Sequence, residues 1–207
     1  MIPSPLMSGS TQRIVRRAVI AAYLIAAAGL LAAVTITLFF AIGQPWGTLN
    51  DIALLVMTAA LPVLMLAFWE LGGLTPTPLA LVAQISGWIA VAVWCVVQAL
   101  MIVGAVAFDY EDAATGGLAV EAVALVVIGL WIAGANLLAG SWLNAIRWFG
   151  LVSGLGFVLL PIGLIVGGVN HPLTYAGGVG YSIAFPVWAF LMAKHLGTLL
   201  RSQESAI

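Results

Sequence analysis

All six basic side chains of this chain, Arg13, Arg16, Arg17, Arg147, Lys194 and Arg201, fall on one side of a six-fold threading through a membrane. Six apolar stretches, at about 18–43, 51–71, 79–107, 117–139, 148–169 and 176–199, are separated by short polar or Gly/Pro-rich breaks. Each reaches the ~20 residues that a helix needs to cross hydrocarbon. Counted from a cytoplasmic N-terminus, the cations occupy the N-terminal tail, the fourth connection and the end of the last stretch, all on the inner side. The three outward connections carry none. Basic residues near short loops set orientation, so the pattern predicts both termini in the cytoplasm.

Composition points the same way. The 207 residues are 64% hydrophobic and 6% charged, with mean hydropathy +1.20. A soluble domain of this size needs several-fold more charge to cover its surface. Helices are required, because an open strand edge cannot be left in lipid. The expected fold class is therefore all-α: one polytopic membrane domain over residues 1–207 with six transmembrane helices. The basic N-terminus resembles a signal peptide, but the apolar run behind it is far longer than the ~7–15 residues of a cleavable segment. It reads as an uncleaved first span. Five of the seven acids, Asp51, Asp109, Glu111, Asp112 and Glu121, lie toward the outer side, and Glu70 and Glu204 toward the inner. Trp46, Tyr110 and Tyr175 are expected at the outer interface, and Trp69, Trp142 and Trp148 at the inner one.

At an offset of 94 residues, Leu49-Asn50-Asp51-Ile52 faces Leu143-Asn144-Ala145-Ile146, Pro78-Leu79 faces Pro172-Leu173, and Val93-Trp94 faces Val187-Trp188. Three helices per unit make the two halves run oppositely through the bilayer. This inverted-repeat arrangement recurs in secondary transporters, with sites near the midplane.

Several function classes are excluded or weakened by inventory. A net charge of −1 without a basic stripe gives no case for nucleic acid. Cys95 is the sole cysteine, so disulfide frameworks and thiolate metal clusters are ruled out. About 24 residues of helix place His171 and His195 roughly 36 Å apart, too far to share a haem or a metal. Ser153 and Ser182 have no histidine at their depth to activate them. No cofactor is expected, and the chain reads as a non-enzyme.

Glu121 is the ionisable residue that most needs an explanation. It lies about four residues inside the fourth stretch, roughly 10 Å outward of that helix's midpoint at ~1.5 Å per residue. A carboxylate facing lipid there costs a few kcal/mol, so Glu121 is expected to face the bundle or to be protonated. Gln98 falls at comparable depth, as do Thr35, Thr58 and Ser182, and together these five form a candidate polar cavity open to the outside. Asn136, Gln84, Ser86 and Ser153 lie in the inner half and are expected to make interhelical hydrogen bonds. Asn50-Asp51 reads as the cap of the second helix, and Glu70 as an ordinary interfacial charge, with pairing to Arg147 or Lys194 on the same side as the alternative. Pro62, Pro161 and Pro186 mark kinks or broken helices. Gly150-x-x-x-Gly154 and Gly163-x-x-x-Gly167 give the fifth helix faces for close packing, within the bundle or in a dimer.

The segment Asn144-Ala-Ile-Arg-Trp-Phe-Gly-Leu-Val-Ser-Gly-Leu-Gly through Phe185-Pro-Val-Trp-Ala-Phe-Leu-Met-Ala-Lys-His-Leu-Gly197 resembles an uncharacterised six-helix bacterial integral membrane protein family, a domain of unknown function. The likeness covers about 60 residues. It implies a bacterial inner (plasma) membrane but carries over no substrate or active residue. Two functions follow as expectations. One is a structural or accessory membrane component, associated with the lipid bilayer and with other membrane subunits or copies of itself. The other is a small-solute transporter or permease using the polar group near Glu121 and Gln98.

Overall fold

The computed structural model describes residues 8–71, 77–106, 116–138 and 142–204. Among the described residues, seven α-helices and one π-helical turn make six passes: α1 Gly9–Ile42, α2 Trp46–Leu71, α3 Pro78–Ile102, α4 Gly116–Leu138, α5 Asn144–Gly167, and a composite last pass. That pass runs through α6 Pro172–Val179, the π turn Gly180–Ala184 and α7 Phe185–Glu204. No strand occurs among the described residues. The chain is thus an all-helical integral membrane protein, as its hydropathy requires.

The helix ends depart from the hydropathy boundaries for local reasons. The first helix starts at Gly9 rather than near residue 18, because Ser8 caps it by accepting the Thr11 N–H at 3.2 Å. Its 34 residues span about 51 Å, well beyond the ~30 Å of hydrocarbon. Arg13, Arg16 and Arg17 consequently ride on a helical extension, not on a tail. Asn50 and Asp51 are not a cap: α2 already begins at Trp46, and Gln44 Oε1 accepts from the Thr48 N–H at 3.4 Å. At the end of α3, Gly104 adopts φ 72°, and the Ala105 N–H returns to Leu100 O at 2.9 Å. This left-handed cap stops the helix at Ile102, five residues short of the apolar run.

The last pass contains an irregular turn. Pro186 has no N–H, and its ring crowds the carbonyl of Ser182 four residues before it. The wider π turn immediately upstream is a common way for a helix to absorb such a residue. Pro62 and Pro161, in contrast, sit inside continuous α-helices.

Each pass lies beside its neighbours in sequence, and α7 returns to α1, so the six passes close a ring. The glycines of α5 make this possible on one side. A Cβ on Gly150 would overlap the Asn136 carboxamide of α4, and one on Gly154 would lie 2.6 Å from Gly129 O. Gly156 faces the backbone of Gly180, while Gly163 and Gly167 face Thr174 and His171. Both glycine pairs are therefore occupied within the chain. The other side closes over the alanines of α1, where Ala22, Ala26 and Ala28 are buried and Gly29 lies against Pro186.

Aromatic side chains fill the ring. Trp94, Phe157, Phe185, Trp188 and Phe68 are fully buried, and their rings follow one another at centroid distances of 5.8, 4.9, 5.5 and 5.7 Å. Phe68 then stacks on Trp142 at 4.9 Å, and Trp142 meets the edge of His195 at 5.3 Å. Trp142 is buried here, against the interfacial position expected of it, whereas Trp148 is 68% exposed.

Candidate functional site

Glu121 faces the bundle interior. Its residue is 8% exposed, and its carboxyl oxygen Oε1 accepts two hydrogen bonds from α3. One comes from the Trp94 indole N–H at 2.9 Å and the other from Gln98 Nε2 at 2.8 Å. Trp94 and Gln98 are four residues apart, so they stand one above the other on the helix face turned to α4. Trp94 is wholly buried and Gln98 is 1% exposed. The Tyr181 ring, carried by the π turn, lies 6.3 Å from the Trp94 ring and 4.8 Å from Phe157. Glu121 Oε2 and Gln98 Oε1 are buried without a hydrogen-bond partner among the described residues. The group therefore offers two acceptor oxygens, one on each residue, in a region shielded from water. Such a pair is suited to a proton, a small cation or a water molecule.

The other members of the candidate cavity behave differently. Thr35 and Thr58 are buried, but each hydroxyl donates to its own helix, to Leu31 O at 2.8 Å and Leu54 O at 2.6 Å. Ser182 is half-buried on the π turn. Among these five residues only Glu121 and Gln98 are joined by a hydrogen bond. The two clefts described on the molecule lie elsewhere, beside Arg13 and beside Tyr23.

Sequence reasoning missed Trp94 as a member of this centre. A tryptophan counts as apolar in a hydropathy profile, yet its N–H needs an acceptor once buried. The same pairing recurs twice. Trp131 Nε1 donates to Gln84 Oε1 at 2.9 Å, and Trp188 Nε1 donates to Asn136 Oδ1 at 3.1 Å. Asn136 and Gln84 thus make the interhelical bonds expected of them, while the Ser153 hydroxyl returns to Phe149 O in its own helix. Gln84 Nε2 and Trp142 Nε1 are buried without partners among the described residues.

Glu70 and Arg147 lie near helix ends. Arg147 donates to Asn136 O and Leu137 O, both at 3.2 Å, placing a cation on the carbonyl end of α4. No ion pair joins the exposed Glu70 to Arg147 or Lys194 among the described residues. Lys194 is exposed and lies 5.6 Å from the Phe190 ring centroid. His171 caps α6 through Nδ1, which accepts the Leu173 N–H at 3.3 Å. His195 lies in the final helix α7, against Trp142. No group of metal-ligating side chains occurs among the described residues. Asp109, Tyr110, Glu111 and Asp112 lie outside the described residues. Compared with known proteins, the chain matches no family model, no curated protein and no solved structure.

Proposed function

We propose that the chain is a non-enzymatic structural or accessory component of a bacterial inner membrane, with both termini in the cytoplasm and two inverted halves of three passes. The observation carrying this reading is the interior of the helix ring. It is filled by wholly buried aromatic rings, and three of its tryptophans are tied to carbonyl oxygens on facing helices. An interior of that kind gives a rigid apolar body with side chains where a solute path would run. The halves are supported by the sequence echo at an offset of 94 residues, which pairs Val93-Trp94 with Val187-Trp188. Purification in mild detergent followed by native mass spectrometry tests the role. A stable complex with other membrane subunits or with a second copy is expected. A lone protomer that carries a small solute across vesicle membranes would overturn it.

A second reading is favoured by one specific observation, the two unpartnered acceptors Glu121 Oε2 and Gln98 Oε1. In it the protein moves a proton or a small cation, with Glu121 as the group that takes it up. Proteoliposomes with an imposed pH or sodium gradient test this directly. Flux that Glu121→Gln abolishes supports it; equal flux with wild-type protein, the variant and empty vesicles rules it out.

A further inference from the structure

The outer wall formed by α1 and α7 carries an apolar groove that ends in positive charge. The groove encloses about 420 Å³ and is floored by Ala26 and Ala27, with Tyr23 and Leu30 on one side and Val187 and Phe190 on the other. It exists because α1 presents alanines where α7, restarting at Phe185 and Pro186 after the π turn, presents a short proline ring. The Tyr23 and Phe190 rings meet edge-to-face at 6.1 Å across its mouth.

Helix spacing places the cations at that mouth. Arg16, Tyr23 and Leu30 are seven residues apart on α1 and so share one stripe. Val187, Phe190, Lys194 and Arg201, at spacings of three, four and seven, share one stripe of α7. The two helices run antiparallel, with Tyr23 against Phe190 and Gly29 against Pro186. Toward the start of α1 and the end of α7, both stripes therefore pass from apolar to basic at the same end. From Arg16 to Leu30 is about 21 Å along the axis, and from Phe190 to Lys194 about 6 Å. A second cleft of about 320 Å³, lined by Arg13 and Arg17, lies near the start of α1.

We propose that this groove binds an anionic phospholipid, one acyl chain lying on Ala26 and Ala27 and the phosphate held at the basic end by Arg16 and Lys194. Charge complementarity selects this occupant. A partner helix or a second copy needs only the apolar wall, whereas an apolar slot leading into clustered cations matches an apolar tail joined to an anionic head. The site stands apart from Glu121, which lies inside the ring, and does not depend on either reading of function.

The test uses the full-length chain in mild detergent, with phosphatidylglycerol or phosphatidylcholine of identical acyl chains added and the retained lipid counted by native mass spectrometry. Phosphatidylglycerol is expected to be retained at least about tenfold more strongly, the scale of one or two cations near an anionic group. Ala27→Phe fills the floor of the groove and is expected to lower retention of phosphatidylglycerol about tenfold. A double variant, Arg16→Gln with Lys194→Gln, is expected to remove the headgroup preference while leaving weak retention of both lipids. All three positions are exposed, and tryptophan fluorescence and thermal unfolding check that each variant is folded. Equal retention of the two lipids by the wild-type chain would overturn the proposal, as would unchanged retention by the folded Ala27→Phe protein. A lipid-free dimer that Ala27→Phe splits would show a second copy in the groove instead and would also overturn it.

Discussion

Trp94 donates its indole N–H to Glu121 across 2.9 Å, and the α3–α4 hairpin repeats this contact in reverse ten residues farther along. There Trp131 of α4 donates to Gln84 of α3, again across 2.9 Å. Trp94 and Gln84 are ten residues apart on α3, as are Glu121 and Trp131 on α4. Two antiparallel helices are thus bolted at two levels, each by a donor with no other use in lipid. The Glu121 level differs in that its acceptor is a carboxyl group taking a second bond from Gln98.

Replacing that carboxyl group separates its packing role from its charge. Glu121→Leu leaves two buried donors, Trp94 Nε1 and Gln98 Nε2, without acceptors. Single hydrogen bonds between membrane helices average about 0.6 kcal/mol, while an orphaned buried donor costs about 1–3 kcal/mol, so the orphaned donors dominate. With two such donors, Glu121→Leu is expected to lose about 2–6 kcal/mol in unfolding by denaturing detergent. Glu121→Gln keeps an acceptor oxygen and is expected to lose under about 1 kcal/mol. Equal losses in the two variants would mean that neither donor depends on this residue.

Two tryptophans packed against Phe68 make a second comparison. Trp188 satisfies Asn136 Oδ1, whereas Trp142 Nε1 finds no acceptor among the described residues. Trp188→Phe orphans a buried carboxamide oxygen and is expected to cost about 1–3 kcal/mol. Trp142→Phe removes an unsatisfied donor together with some ring area, and the two effects oppose each other. Its expected change is within about 1 kcal/mol of zero. The same detergent titration reads both variants. A larger loss at Trp142 than at Trp188 would contradict the assigned pairing.

Glycine substitutions distinguish contact from chance along α4 and α5. A Cβ on Gly134 meets nothing within 4 Å, while one on Gly154 meets the α4 backbone and Ala133. Gly134→Ala is expected to stabilise by up to about 1 kcal/mol through the lower entropy of the unfolded chain. Gly154→Ala forces the two helices apart and is expected to cost about 1–3 kcal/mol. Thermal unfolding in detergent orders the two proteins, and stabilisation by both would show that α5 does not lie this close to α4.

Helix number and type were legible because lipid leaves few alternatives: about twenty apolar residues in a row must close their own backbone hydrogen bonds. The ends were not legible, since hydropathy is silent about caps. Ser8 extends α1 through a polar, arginine-bearing stretch, and Gly104 stops α3 inside an apolar one. Glu121 and Gln98 stood out as polar residues in apolar company, and they do meet. Thr35 and Thr58 stood out equally but bond to carbonyls four residues back, a choice that depends on a rotamer and leaves no trace in spacing. Trp94 was hidden because its ring is apolar and only its single N–H reveals the partner it needs.

The orientation rests on where the cations gather. The closed ring brings the start of α1 beside the end of α7, so Arg13, Arg16 and Arg17 share one end of the bundle with Lys194 and Arg201. Arg147 follows α4, whose chain direction is opposite to that of α1 in an even-pass ring, and so sits at that same end. All six basic residues then lie at one face, and the inside-positive bias predicts that this face is cytoplasmic. Cysteine labelling tests this in a Cys95→Ala background, with single cysteines at Ser10, Asp112 or Ser202. An impermeant maleimide applied to intact cells is expected to modify the Asp112 position alone. Labelling at Ser10 and Ser202 but not at Asp112 before lysis would reverse the orientation, and labelling at Ser10 together with Asp112 would break the three passes between them.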